Sequence, residues 1–163
     1  MLDSNLYNAI RRYAARLLSN DELAKDITQE VFLRMEQNRQ AISNPYSWAY
    51  RTARNLIIDY YRHRGHAANP INAGEMLHNI PSERTQFDPS VLIEKKESIN
   101  MMIEKINCLS LRHREVLRLK FQEGLKYAEI AEVINEPITT VSWLLHEAIC
   151  KLRKELNVKD SGN

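Results

Sequence analysis

Two blocks of helical periodicity stand on either side of a stretch that has none. That stretch, residues 63–94, holds Pro70, Pro81 and Pro89 and also Gly65 and Gly74. It sets Arg64 and Arg84 against Glu75, Glu83, Asp88 and Glu94, so it is acidic. Proline and glycine at this density interrupt helices and strands alike. A structureless segment of this length is uncommon inside one compact domain. The pattern therefore predicts an all-α chain of two small helical domains joined by a flexible linker. The expected boundaries are 1–63 for the first domain, 64–92 for the linker and 93–163 for the second. An extended linker of about 28 residues reaches on the order of 90 Å. The alternative is an ordinary surface loop within one domain.

Composition narrows the class further. The chain has 163 residues, enough for one ordinary domain or two small ones. Four Gly and five Pro are too few for a sandwich or barrel with a turn every ten residues or so. Two Cys, Cys108 and Cys150, exclude a disulfide framework and suggest a reducing compartment. No apolar run approaches the roughly 20 residues that cross a bilayer, so no membrane insertion is expected. Arg11, Arg12 and Arg16 have no continuous apolar core behind them, so the start of the chain does not read as a secretory signal. The formal net charge is +2, which gives no global sign of nucleic-acid binding. Resolved by segment, residues 1–62 hold nine Lys/Arg and seven Asp/Glu, and residues 95–163 hold twelve and ten. Two weakly basic blocks thus flank the acidic middle.

In the first block, Leu6, Ile10, Tyr13 and Leu17 recur at helical spacing. Ser19 followed by Glu22 has the pattern of a capping box. Leu23, Ile27, Val31 and Met35 then form one apolar stripe, and Asp26, Gln29 and Glu30 lie off it. Asn44-Pro45 predicts a cap and first turn for a third helix. On that helix Tyr46, Ala49, Ala53, Leu56, Ile57 and Tyr60 gather inward. Trp48, Arg51, Asn55, Ile58 and Arg62 gather outward. Such an outward face suits nucleic acid: arginines for phosphates, Asn for base edges, aromatic groups for unstacked bases. The plainer alternative has Trp48 packed on a neighbouring helix and the arginines solvated.

In the second block, the apolar pattern predicts a helix from about Val91 to Asn107. Ser110 is expected to cap a helix carrying Leu111, Val116, Leu117 and Leu119, which Gly124 ends in the left-handed conformation. Lys126 to Ile134 reads as a short helix with Tyr127, Ile130, Ala131 and Ile134 inward. Asn135-Glu136-Pro137 is a tight turn, and Asn tolerates the left-handed region. A last helix from about Ile138 to Leu156 carries Ile138, Val141, Leu145, Ala148, Ile149 and Leu152 in one stripe. Short helix, tight turn and longer helix make a helix-turn-helix. A helical hairpin without a DNA role is the alternative.

In that order these motifs resemble the extracytoplasmic-function sigma factors of bacterial RNA polymerase. Ala24-x-Asp26-x-x-Gln29-Glu30-x-Phe32-Leu33-Arg34 is similar to the family's polymerase-binding helix. Asn44-Pro45-x-x-Trp48-x-Tyr50-Arg51-x-Ala53-Arg54-Asn55-Leu56-x-Ile58-Asp59-Tyr60-x-Arg62 resembles its −10 helix. Leu109-x-x-x-x-Arg114-Glu115-Val116-Leu117-x-Leu119 and Gly124-Leu125-x-Tyr127-Ala128-Glu129-Ile130-Ala131 resemble its −35-binding domain. The resemblance implies a cytoplasmic, dissociable subunit, monomeric when free, whose partners are core RNA polymerase, promoter DNA and an anti-sigma factor. Asp26, Gln29, Glu30, Phe32 and Leu33 would bind core polymerase. Trp48, Arg51, Arg54, Asn55 and Arg62 would hold the non-template strand at the −10 element, and the loop near Asn38 to Asn44 would help capture an extruded base. Thr139, Thr140, Ser142, Trp143 and His146 would read the −35 element.

The last helix departs from the family's usual Val-Lys-Ser-Arg-Leu-x-Arg-Ala. Here Val141-Ser142-Trp143-Leu144-Leu145-His146-Glu147-Ala148 replaces three basic positions with Ser142, Leu144 and Glu147. Either the helix still reads DNA, with Trp143 on a thymine methyl and Glu147 accepting from a cytosine amine, or this face serves a protein partner, for which an outward Trp is a typical anchor. The segment resembles the iron-starvation branch, which drives siderophore synthesis and iron uptake. No catalytic role, cofactor or metal is expected. There is no glycine-rich phosphate loop and no Gly-x-Ser-x-Gly, and His63-x-x-His66 alone is a weak metal signal. Two rival functions remain: a stand-alone helix-turn-helix regulator and a polymerase-binding decoy.

Overall fold

The computed structural model describes residues 4–63, Met102 and residues 104–160. The expected linker at 64–92 and most of the expected helix before Asn107 lie outside the described residues. Among the described residues all regular structure is helical. Helices α1 (Ser4–Leu18), α2 (Asp21–Gln37) and α3 (Pro45–His63) form the first unit, with a short 3₁₀ turn at Arg39–Ala41 between the last two. Helices α4 (Leu111–Phe121), α5 (Tyr127–Ile134) and α6 (Ile138–Asp160) form the second. The units pack together chiefly through α3 against α5.

The stripes read from the sequence supply the core. Leu6, Ile10, Tyr13 and Leu17 of α1, Ile27 and Val31 of α2, and Ala49, Ala53 and Ile57 of α3 are all buried. Tyr13 meets Tyr50 edge to face at 5.2 Å between ring centres. Asn44 caps α3, its side-chain oxygen accepting from the Tyr46 and Ser47 amides at 3.1 and 3.4 Å. The cap of α2 lies one residue later than expected. Ser19 takes a positive φ of 49°, and Asn20 is the residue whose side chain accepts from the Leu23 amide, at 3.0 Å. Asparagine and serine cap about equally well, so the turn decides between them. Two positions on α3 also differ from the expected wheel: Ile58 is buried and Tyr46 is exposed. The reason is that α1, α2 and α5 all pack on α3, and three neighbours bury more than one face.

In the second unit, Val116, Leu119, Ile130, Val133, Val141, Leu145 and Ala148 close the core. Gly124 sits at φ 71°, and the Leu125 amide donates back to the Leu119 carbonyl at 3.1 Å. Asn135 takes the left-handed conformation, φ 56° and ψ 49°, between α5 and α6. The helix-turn-helix is therefore formed as expected. Ser110 precedes α4 without a side-chain cap bond, and its hydroxyl pairs instead with His113 Nδ1. Tyr127 and Ile138, expected inward, are exposed, whereas Leu144 is buried.

Candidate nucleic-acid interface

The polar face of α2 opens to solvent. Asp26 and Gln29 are exposed, Glu30 accepts from Arg34 Nε at 2.6 Å, and Leu33 is 56% exposed. Phe32 is turned the other way. It is buried, with its ring centre 5.2 Å from that of Tyr7, so it shapes this surface from beneath.

On α3, Arg51, Asn55 and Arg62 are exposed. Arg62 Nη1 donates to Asp59 at 3.1 Å, one turn back. Trp48 is half-buried against the core, yet one side of it borders a concave pocket of about 340 Å³. Trp48, Thr52, Asn55 and Asp59 line one wall, and Arg34, Asn38 and Ile42 come from the end of α2 and the following turn. An aromatic ring beside amide groups offers both a stacking surface and hydrogen bonds to a base edge. Thr52 and Asp59 were not among the expected residues. Their spacing from Trp48 and Asn55, four, three and four residues, places all four on one helical face.

Arg54 does not share that face. Its Nε donates to Glu115 Oε1 of α4 at 2.6 Å and its Nη2 to Oε2 at 3.3 Å. Burial alone would lower the guanidinium's pKa, but the adjacent Glu115 carboxylate outweighs this and the net shift is upward.

On α6, Thr139, Ser142, Trp143 and His146 are exposed and Thr140 is half-buried. Trp143 is 59% exposed, with its ring centre 6.2 Å from that of His113. Glu147 is engaged within the protein: His113 Nε2 lies 2.9 Å away and Lys151 Nζ 2.8 Å away. The hydrogen bond from Lys151, then that from His113, holds its carboxyl below the usual range. Leu144 is 3% exposed and belongs to the core. Of the three replaced basic positions, only Ser142 thus presents a free outward face. His146 Nε2 lies 3.5 Å from Cys150 Sγ. Among the described residues, no group of three or more His, Cys, Asp or Glu is placed to hold a metal ion, and no helix is long and apolar enough to cross a membrane.

Residues 2–67 match the sigma-70 region 2 family and residues 106–154 match sigma-70 region 4. The chain is 33% identical over 150 residues to the extracytoplasmic-function (ECF) RNA polymerase sigma factor SigW of Bacillus subtilis, covering 86% of this chain and 79% of the relative. This chain is an ECF sigma factor. SigL of Mycobacterium tuberculosis, also of this family, is 28% identical over 149 residues, covering 89% of this sigma factor and 81% of SigL. Among solved structures, RpoE of Bartonella quintana in complex with the anti-sigma factor NepR shares the fold. Its TM-score is 0.60 at 21% identity, covering 95% of this chain and 94% of that one. In this sigma factor, α1–α3 are region 2 and α4–α6 are region 4.

Proposed function

We propose that this sigma factor starts transcription by holding a melted −10 strand on the outer face of α3. The observation that carries this reading is the pocket beside Trp48, where the aromatic wall and the amides of Asn38 and Asn55 converge. Extruding a base costs a few kcal/mol, and stacking returns about 1–3 kcal/mol per base. Arg51 and Arg62 stand on the same helix as phosphate partners, and Arg54 joins them once freed from Glu115. Asp26, Gln29, Glu30 and Leu33 form the contact with core polymerase, positioned by Phe32. Thr139, Thr140, Ser142, Trp143 and His146 enter the −35 major groove. The protein supplies recognition and no chemistry of its own, and works in the cytoplasm as a monomer when free. The domain boundaries at 63 and 92 leave the segment between them as the tether.

The unusual 141–148 segment supports a specialised promoter set, and its resemblance to the iron-starvation branch favours siderophore synthesis and iron uptake as that set. An anti-sigma partner follows from the kinship in fold with the RpoE–NepR complex. Run-off transcription with core polymerase on genomic DNA tests the whole reading. Start sites should appear upstream of iron-uptake genes, and Trp48→Ala should cut initiation by about fivefold to a hundredfold, as expected for one lost stacking contact of about 1–3 kcal/mol. Absence of any start site would favour the decoy. Tight specific duplex binding without polymerase would favour the stand-alone regulator.

A further inference from the structure

One buried side chain of α4 reaches two outward positions of the last helix. His113 is 5% exposed, yet it meets both Trp143 and Glu147 of α6. These two stand four residues apart, one above the other on a single helical face. A carboxylate only accepts hydrogen bonds, so His113 Nε2 carries a hydrogen and donates it to Glu147 Oε2 at 2.9 Å. On the other side of the ring, Nδ1 pairs with the Ser110 hydroxyl. With both nitrogens engaged, the imidazole cannot turn without breaking a bond. It is therefore a fixed surface beside Trp143, tilted 45° to that ring with centres 6.2 Å apart.

The consequences fall on the face read as DNA-binding. Lys151 takes Oε1 of Glu147 at 2.8 Å and His113 takes Oε2. Both oxygens are thus turned to partners within the protein rather than to a base edge. The arginine that the family's usual pattern carries at position 147 could not accept from His113, so the imidazole and Glu147 belong together. Trp143 is left as the large outward group, 59% exposed. A side chain already held in place binds better than a free one, because less ordering remains to be done on contact. In the major groove the apolar group that suits it is the methyl of thymine.

We propose that His113 is a positioning residue for −35 recognition. It fixes the Trp143 ring and draws Glu147 back, so the last helix reads a thymine methyl where a free carboxylate would read a cytosine amine. This rests on the reading of α6 as the −35 helix. His113 acts through Trp143 and Glu147.

The test uses the full chain bound to core polymerase, on a promoter whose −35 element is read from run-off start sites. Each −35 thymine is replaced in turn by deoxyuridine, which lacks only the methyl, and the dissociation constant is measured by fluorescence. At one position the wild type should lose about fourfold, the worth of one buried methyl group. Trp143→Ala should lose nothing there. In His113→Ala the thymine and deoxyuridine constants should agree within about 1.5-fold, because the ring is no longer held in place. A purely structural role would weaken binding to both templates alike and leave their ratio untouched. Should His113→Ala fail to fold by circular dichroism, Glu147→Ala frees the imidazole from a half-exposed position of α6 and is scored by the same ratio. An undiminished methyl effect in the folded variant would overturn the positioning role and leave α6 as the −35 helix. If no −35 thymine separates the wild type from Trp143→Ala, the placement of Trp143 in the groove fails and the proposal falls with it.

Discussion

At the scale of single residues, two left-handed positions and one exposed ring carry separate consequences. Gly124 lies at φ 71° and a Cβ there would meet nothing within 4 Å. The cost of Gly124→Ala is therefore one of backbone alone, about 1 kcal/mol, read as a lowered denaturation midpoint. Asn135, at φ 56°, was legible from the sequence because asparagine before Glu136-Pro137 suits that turn. The cap at Asn20 was not, since Ser19 and Asn20 are chemically equivalent caps and only the turn distinguishes them. Trp143 is the exposed ring. Trp143→Ala removes a side chain that stands mostly in solvent and should leave the unfolding free energy, measured by chemical denaturation, within about 0.5 kcal/mol of wild type. It should lower transcription from a −35-dependent promoter severalfold in the run-off assay.

At the scale of elements, helical periodicity reveals one buried face, and helices with several neighbours bury more. On α1 the stripe Leu6, Ile10, Tyr13 and Leu17 was read and is buried, while Ala14 and Leu18, buried beside it, were not. Ile58 on α3 and Leu144 on α6 escaped because each helix meets more than one neighbour. Leu144 stands where mainstream relatives were expected to carry a basic residue, yet it serves packing. Leu144→Ala should destabilise the protein by about 2–5 kcal/mol, measured by chemical denaturation, which no DNA-facing position would do. The seating of α6 on α4 also depends on pH. The folded pKa of Glu147 is depressed from its ordinary 4.5 by Lys151 and His113. Its contribution is thus fully present above the ordinary carboxylate range and is lost as pH falls through the lower, folded value. Thermal melts between pH 3 and 7 should show Glu147→Gln with a shallower acid limb than the wild type.

At the scale of the whole molecule, the two-unit organisation was legible and the contact between the units was not. Arg54 reads as a phosphate ligand because its neighbours on α3 do. Nothing local tells that Glu115, 61 residues further on, will meet it. Long-range pairing of charges leaves no periodic trace. Because the contact between the units is mostly ionic and hydrogen-bonded, its strength should fall with salt. Differential scanning calorimetry at low salt should give one transition, and near 1 M KCl two separate ones, as each helical unit melts by itself.

The Arg54–Glu115 pair joins parts of the sequence that otherwise answer to different constraints. Helix α3 belongs to the first packed unit and α4 to the second, so each could drift alone. The pair removes that independence. A chimera that grafts the second half of another family member onto this first half keeps the pair only where that half carries a carboxylate at the position of Glu115. Hybrids without it should unfold at a lower denaturation midpoint at low salt, and restoring the glutamate should return the midpoint.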